Sequence, residues 1–116
     1  MKLVAVLLAA VCVLAASCGG DSGESGGGTV VRMEADSFSP ATLTVEAGDT
    51  VTFENESGDD KWPASDVHPT HEEYPGFDAE RAVLDGESYE FTFARRGTWG
   101  YHDHLNPDVK GTIVVE

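Results

Sequence analysis

A chain of 116 residues is long enough for one domain of ordinary size and not for two. Its 21 Asp and Glu against seven Lys and Arg leave a formal net charge of −14, which repels nucleic acid and anionic lipid and attracts cations or a basic partner. The only cysteines are Cys12 and Cys18, so the rest of the chain is without disulfides, zinc–thiolate sites, iron–sulfur clusters or thiolate-ligated copper.

Lys2 precedes the apolar run Leu3 to Ala16, which ends in small residues and is too short to span a bilayer comfortably. This arrangement predicts a secretory signal over residues 1–17. The segment Leu14-Ala15-Ala16-Ser17-Cys18 resembles the bacterial lipobox, although Ala15 stands where Leu or Val is usual. That resemblance implies a lipid on Cys18, the first residue of the mature chain. Gly19 to Gly28 offers Gly, Ser and two acids with nothing to bury, so residues 18–28 are expected to be a tether. The whole predicts an extracytoplasmic head, residues 29–116, lipid-anchored to a bacterial membrane at the cell surface or in the periplasm.

Within the head, Thr29 to Ala35 is rich in β-branched residues and reads as a first strand. Phe38-Ser39-Pro40 leads into Leu43-Thr44-Val45-Glu46, and Ala47-Gly48-Asp49 leads on to Thr50 to Asn55. Leu43 and Val45 share one face, as do Val51 and Phe53, which predicts two half-buried strands joined by a tight glycine-containing connection. Periodicity is lost from Glu56 to Arg81. A segment of this length without pattern inside a compact domain usually carries function, and Trp62, Tyr74 and Phe77 are the candidate plugs that pin it down. Alternation returns at Ser88 to Phe93, with Tyr89, Phe91 and Phe93 on one face. Thr98 to His102 and Gly111 to Glu116 complete the strands. No helical periodicity or internal repeat is evident, so an all-β sandwich with Greek-key connections is the economical architecture.

The chain has four histidines, in two clusters: His68-Pro69-Thr70-His71 in the patternless segment and His102-Asp103-His104 at a strand end. Positions i and i+2 of an extended backbone point to the same side, so His102 and His104 can face one ion. A solvated surface pair is the bland alternative. Trp62 and Trp99 read as packing.

The head also resembles the cupredoxin family, small copper-binding β-sandwiches of the plastocyanin and amicyanin type. The likeness is carried by Phe38-Ser39-Pro40, by Leu43 to Asn55, by Gly97-Thr98-Trp99-Gly100-Tyr101-His102 and by Lys110 to Glu116. It implies the sandwich fold and places both histidine clusters at one pole. It does not carry over the blue-copper ligands, because the places of the family's Cys, His and Met hold Asp103, Asn106 and Val109. The run Tyr101 to His104 further resembles the His-x-His copper ligands of multicopper oxidases.

The resulting expectation is a non-blue copper site, Cu2+ before Zn2+, held by His68, His71, His102 and His104. Asp103 is expected either as an added ligand or as an acceptor for an imidazole N–H. Capture or delivery of copper by a membrane-anchored module is the leading function. Electron transfer and an accessory role in iron or other metal uptake are the alternatives. No nucleophile, triad or phosphate loop is legible, so an enzyme is not expected.

Overall fold

The computed structural model describes residues 29–116. The predicted leader, Cys18 and the tether lie outside the described residues. Eight strands follow in chain order: β1 (Val30–Met33), β2 (Phe38–Ser39), β3 (Thr42–Val45), β4 (Asp49–Asn55), β5 (Pro63–Ser65), β6 (Ser88–Phe93), β7 (Gly97–Asp103) and β8 (Asn106–Val115). They form two four-stranded sheets, ordered β2-β1-β4-β6 and β3-β8-β7-β5. β1 pairs with β4 and β3 with β8 in parallel, and the remaining ladders are antiparallel. The expected all-β sandwich is therefore present.

Alternation along the strands fills the space between the sheets. Val31, Met33, Val51, Phe53 and Phe93 face inward from one sheet; Leu43, Val45, Tyr101, Ile113 and Val115 face them from the other. Each such side chain contributes about 1.5–3 kcal/mol on leaving water. Of the three aromatics of β6, Phe93 is fully buried while Tyr89 and Phe91 lie half-buried against the core.

Two sequence expectations need adjustment. β3 and β4 follow one another across Ala47-Gly48 yet do not pair: β3 lies beside β8, and β4 between β1 and β6. The connection crosses from one sheet to the other, so the apolar faces of the two strands look at each other through the core. Gly48, at φ +99°, supplies the left-handed step that this crossing takes. The second concerns Glu56 to Arg81, which is not wholly irregular. β5 lies within it and pairs with β7, and single bridges join Lys61 to Val83 and Ala64 to Asp78. Tyr74 and Phe77 are buried in the core as the expected plugs, and Trp62 is half-buried.

Candidate metal centre

β7 brings the first half of the site. His102 sits in its ladder opposite Ala64 of β5 on one side and Lys110 of β8 on the other. The register then shifts between His102 and Asp103, a bulge that re-aims the strand end. His104 follows in the turn before β8, where its backbone N–H donates to the Trp62 carbonyl at 2.7 Å. The pair thus shares one side through a bulge and a turn rather than through simple alternation.

Asp103 is directed away from the imidazoles by its own partners. Its Oδ1 accepts the backbone N–H groups of Trp62 (2.9 Å) and Leu105 (3.0 Å), and its Oδ2 lies 3.4 Å from Lys61 Nζ. Both members of this ion pair are buried, and Lys61 also donates to the Ala35 carbonyl at 2.9 Å. Asp103 therefore clamps the approach to β5 against the end of β7. The other two positions matched to family ligands are equally remote from ligation: Asn106 opens β8 on the surface and Val109 is buried in the core.

The second half comes from the segment after β5, where hydrogen bonds replace a ladder. Asp66 N–H donates to the Gly100 carbonyl, Glu73 N–H to the Asp66 carbonyl, and Tyr74 N–H to Ser65 Oγ. Tyr74 in turn accepts the N–H groups of Ala94 and Arg95 on its hydroxyl. His71 is buried and holds φ at +57°, a left-handed conformation that costs an L-residue about 1–2 kcal/mol. His68, three residues earlier, is exposed.

The four imidazoles meet. Ring-centroid separations are 5.3 Å for His68–His102, 5.0 Å for His68–His104, 5.1 Å for His71–His102 and 5.0 Å for His71–His104. His68, His102 and His104 each offer a nitrogen within 4.8 Å of the others, and His71 Nε2 lies 3.2 Å from His104 Nδ1. All four histidines named from the sequence thus stand in one cluster at one end of the sandwich.

Two carboxylates that sequence reading did not single out anchor the buried members. Asp66 Oδ1 lies 2.7 Å from His102 Nδ1, and Asp78 Oδ2 lies 2.8 Å from His71 Nδ1. A carboxylate only accepts, so each Nδ1 carries the proton and each Nε2 of the neutral ring is left with its lone pair. Asp78 also accepts the Trp62 indole N–H at 2.7 Å and the Glu80 N–H at 2.8 Å, and the Trp62 ring lies 4.5 Å from that of His104. Partial burial would raise the Asp78 carboxyl, but the donors from Trp62, His71 and Glu80 prevail and hold it below the usual carboxylate range. Burial pushes the His102 imidazole below its ordinary value, with Asp66 pulling the other way. The spacing Asp66…His102 gave no local signal. Gly100 does in hindsight: a Cβ there would sit 2.5 Å from Asp66 Oδ2, so glycine clears the space that the carboxylate fills.

A transition metal fits this donor set. His102 Nε2 is fully buried and has no hydrogen-bond partner among the described residues. A lone pair so placed is costly unless something accepts it, and several neutral imidazoles around it make a soft-to-borderline cation the natural acceptor. The described residues supply no sulfur there, since Met33 is buried in the core.

Known proteins agree with this architecture. Residues 4–115 match the sequence profile of the Cupredoxin-like domain family. Plastocyanin of Scenedesmus fuscus is 36% identical over 98 residues, covering 74% of this chain and 97% of that protein. Plastocyanin A/B of Petroselinum crispum is 33% identical over 86 residues, covering 67% and 86%. Among solved structures, an oxidized amicyanin variant superposes with a TM-score of 0.66 at 28% identity, covering 78% of this chain and 83% of its own. A purple cupredoxin from Nitrosopumilus maritimus, at 22% identity and a TM-score of 0.67 over 76% of this chain and 99% of its own, shares the fold. The profile match and the plastocyanin likeness together show that this chain belongs to the cupredoxin-like family.

Proposed function

We propose that this protein is an extracytoplasmic copper-binding module with a non-blue, histidine-built site that captures or delivers the ion. The observation that carries the reading is that His68, His102 and His104 each offer a nitrogen within 4.8 Å of the others, with His71 Nε2 3.2 Å from His104 Nδ1 and the buried Nε2 of His102 without a hydrogen-bond partner among the described residues. Family membership supports copper, and so does affinity order, since nitrogen donors bind Cu2+ ahead of Zn2+. Zinc is the competing ion, because it accepts the same imidazoles in a tetrahedron. The ligands are His102 and His104 from the β7 end and His68 and His71 from the loop. The graded exposure, from buried His102 and His71 to exposed His68, gives the ion a route in from solvent over His68.

Hydrogen bonds and packing within the chain position the rings. The Asp66 and Asp78 carboxylates hold two rings in one tautomer, and Trp62 covers His104. The chain ahead of the head completes the proposal: a signal over 1–17, a lipid on Cys18 and a tether over 18–28 would hold the domain at a bacterial membrane. Isothermal titration with Cu2+ is the test. One ion bound per chain, with binding abolished in the His102→Ala/His104→Ala double variant, is the expected result; unaltered uptake by that variant would refute the assignment.

Electron transfer is the second reading, favoured by the plastocyanin relatives. The site lacks a thiolate, whose covalent bond to copper provides both an electron path and a geometry common to the two oxidation states. Protein-film voltammetry separates the two readings: fast, reversible reduction supports a carrier, sluggish reduction supports capture.

A further inference from the structure

The metal-binding reading leaves unexplained why two acids of the patternless segment point into the cluster. Asp66 and Asp78 stand on either side of the His68 to His71 stretch, and each accepts the Nδ1–H of a buried imidazole. Among the described residues neither has a lysine or arginine partner in an ion pair; their ion-pair contacts are to histidines. Asp78 is further fixed by the Trp62 indole, and Asp66 by the gap that Gly100 leaves beside it. Two negative charges are therefore built in one imidazole's width from the point where the rings converge.

Such charges act on an ion in two ways. A carboxylate that accepts the far N–H of an imidazole makes the near nitrogen a stronger donor. Direct attraction also scales with the charge on the ion, so a doubly charged cation gains about twice what a singly charged one does at equal distance. Resting on the metal-site reading, we infer that Asp66 and Asp78 make this a site selective for divalent ions, one that holds copper as Cu2+ and releases it on reduction to Cu+. They are positioning residues: neither touches the ion, and each works through the ring it holds. Selectivity by charge turns capture and delivery into two states of a single site: a thiol of the receiving side gives up one electron per ion, Cu2+ becomes Cu+, two such thiols lose their protons and close to a disulfide for every two ions reduced, and the Cu+ leaves.

The test compares the wild-type chain with Asp66→Asn, Asp78→Asn and the double variant, each titrated with Cu2+, Zn2+ and chelator-buffered Cu+, and each followed by voltammetry. Asparagine keeps the size of the side chain and removes its charge. The expected result is a loss of about 10–100-fold in affinity for both divalent ions per carboxylate, a much smaller loss for Cu+, and a reduction potential that moves upward. Gly100→Ala gives an independent check in which both carboxylates keep their charge. The added Cβ displaces Asp66 from His102, so its potential should move in the same direction. Equal losses for Cu2+ and Cu+ with an unmoved potential would show that the acids merely support the fold, and would overturn the inference while leaving the metal site standing. A wild-type chain that takes up no divalent ion would overturn the metal-site reading and the inference with it.

Discussion

The two halves of the histidine cluster are held by different means. His102 and His104 hang from β7, which is paired on both sides, and the bulge and turn that aim them are locked by the buried Lys61–Asp103 pair. His68 and His71 ride on a segment with one short strand, pinned by the Tyr74 and Phe77 plugs and by side-chain hydrogen bonds, with His71 in a left-handed conformation. A ladder resists single substitutions because each bond has neighbours; a pinned loop depends on a few contacts. Damage to the strand half should therefore remove binding by deleting donors, whereas damage to the loop half should weaken binding by letting donors wander.

The largest effect is expected from the plug. Phe77 touches Phe53, Phe91, Phe93 and Tyr101, and Phe77→Ala should cost about 3–5 kcal/mol in urea unfolding, with metal affinity falling in parallel. Lys61→Met leaves the Asp103 carboxylate buried with only backbone donors, and a loss of about 3–5 kcal/mol is expected by the same measurement. A loss under one kcal/mol would mean that Asp103 is not the clamp described. Tyr74→Phe removes the acceptor for two backbone N–H groups and should cost about 1–3 kcal/mol, read most sharply as faster amide exchange at Ala94 and Arg95.

The smallest effect is expected at a phenol outside the histidine cluster. Burial, reinforced by the charges of Asp78 and Glu80, raises the Tyr89 phenol to about 12, with a hydrogen bond from Asp78 opposing. A phenol raised on folding stabilises the fold fully below its unfolded value near 10 and loses that contribution as pH climbs through the folded value. Tyr89→Phe should flatten the alkaline limb of stability and remove a late step from the phenolate absorbance titration. The Tyr101 phenol is raised further still, by burial alone.

Much of this was legible before any coordinates. The strands announce themselves through alternation, and the four histidines are the only donors of their kind in the chain. Three matters were not legible. The crossing at Gly48 escaped notice because a tight turn between two one-faced strands reads the same whether they pair or face each other. Asp66 and Asp78 were hidden among many acids, since a carboxylate that grips an imidazole far along the chain differs from a solvated one only in where the fold puts it. For the same reason the partners of Asp103 were hidden: flanked by two histidines in sequence, it has its oxygens engaged in the fold by Lys61 and two backbone amides.

Electron paramagnetic resonance of the copper-loaded head is the most direct trial of four imidazoles gathered around one ion. The expected result is an axial Cu(II) spectrum with resolved nitrogen splittings and only weak visible absorption. A spectrum without nitrogen couplings, or an intense charge-transfer band, would contradict it.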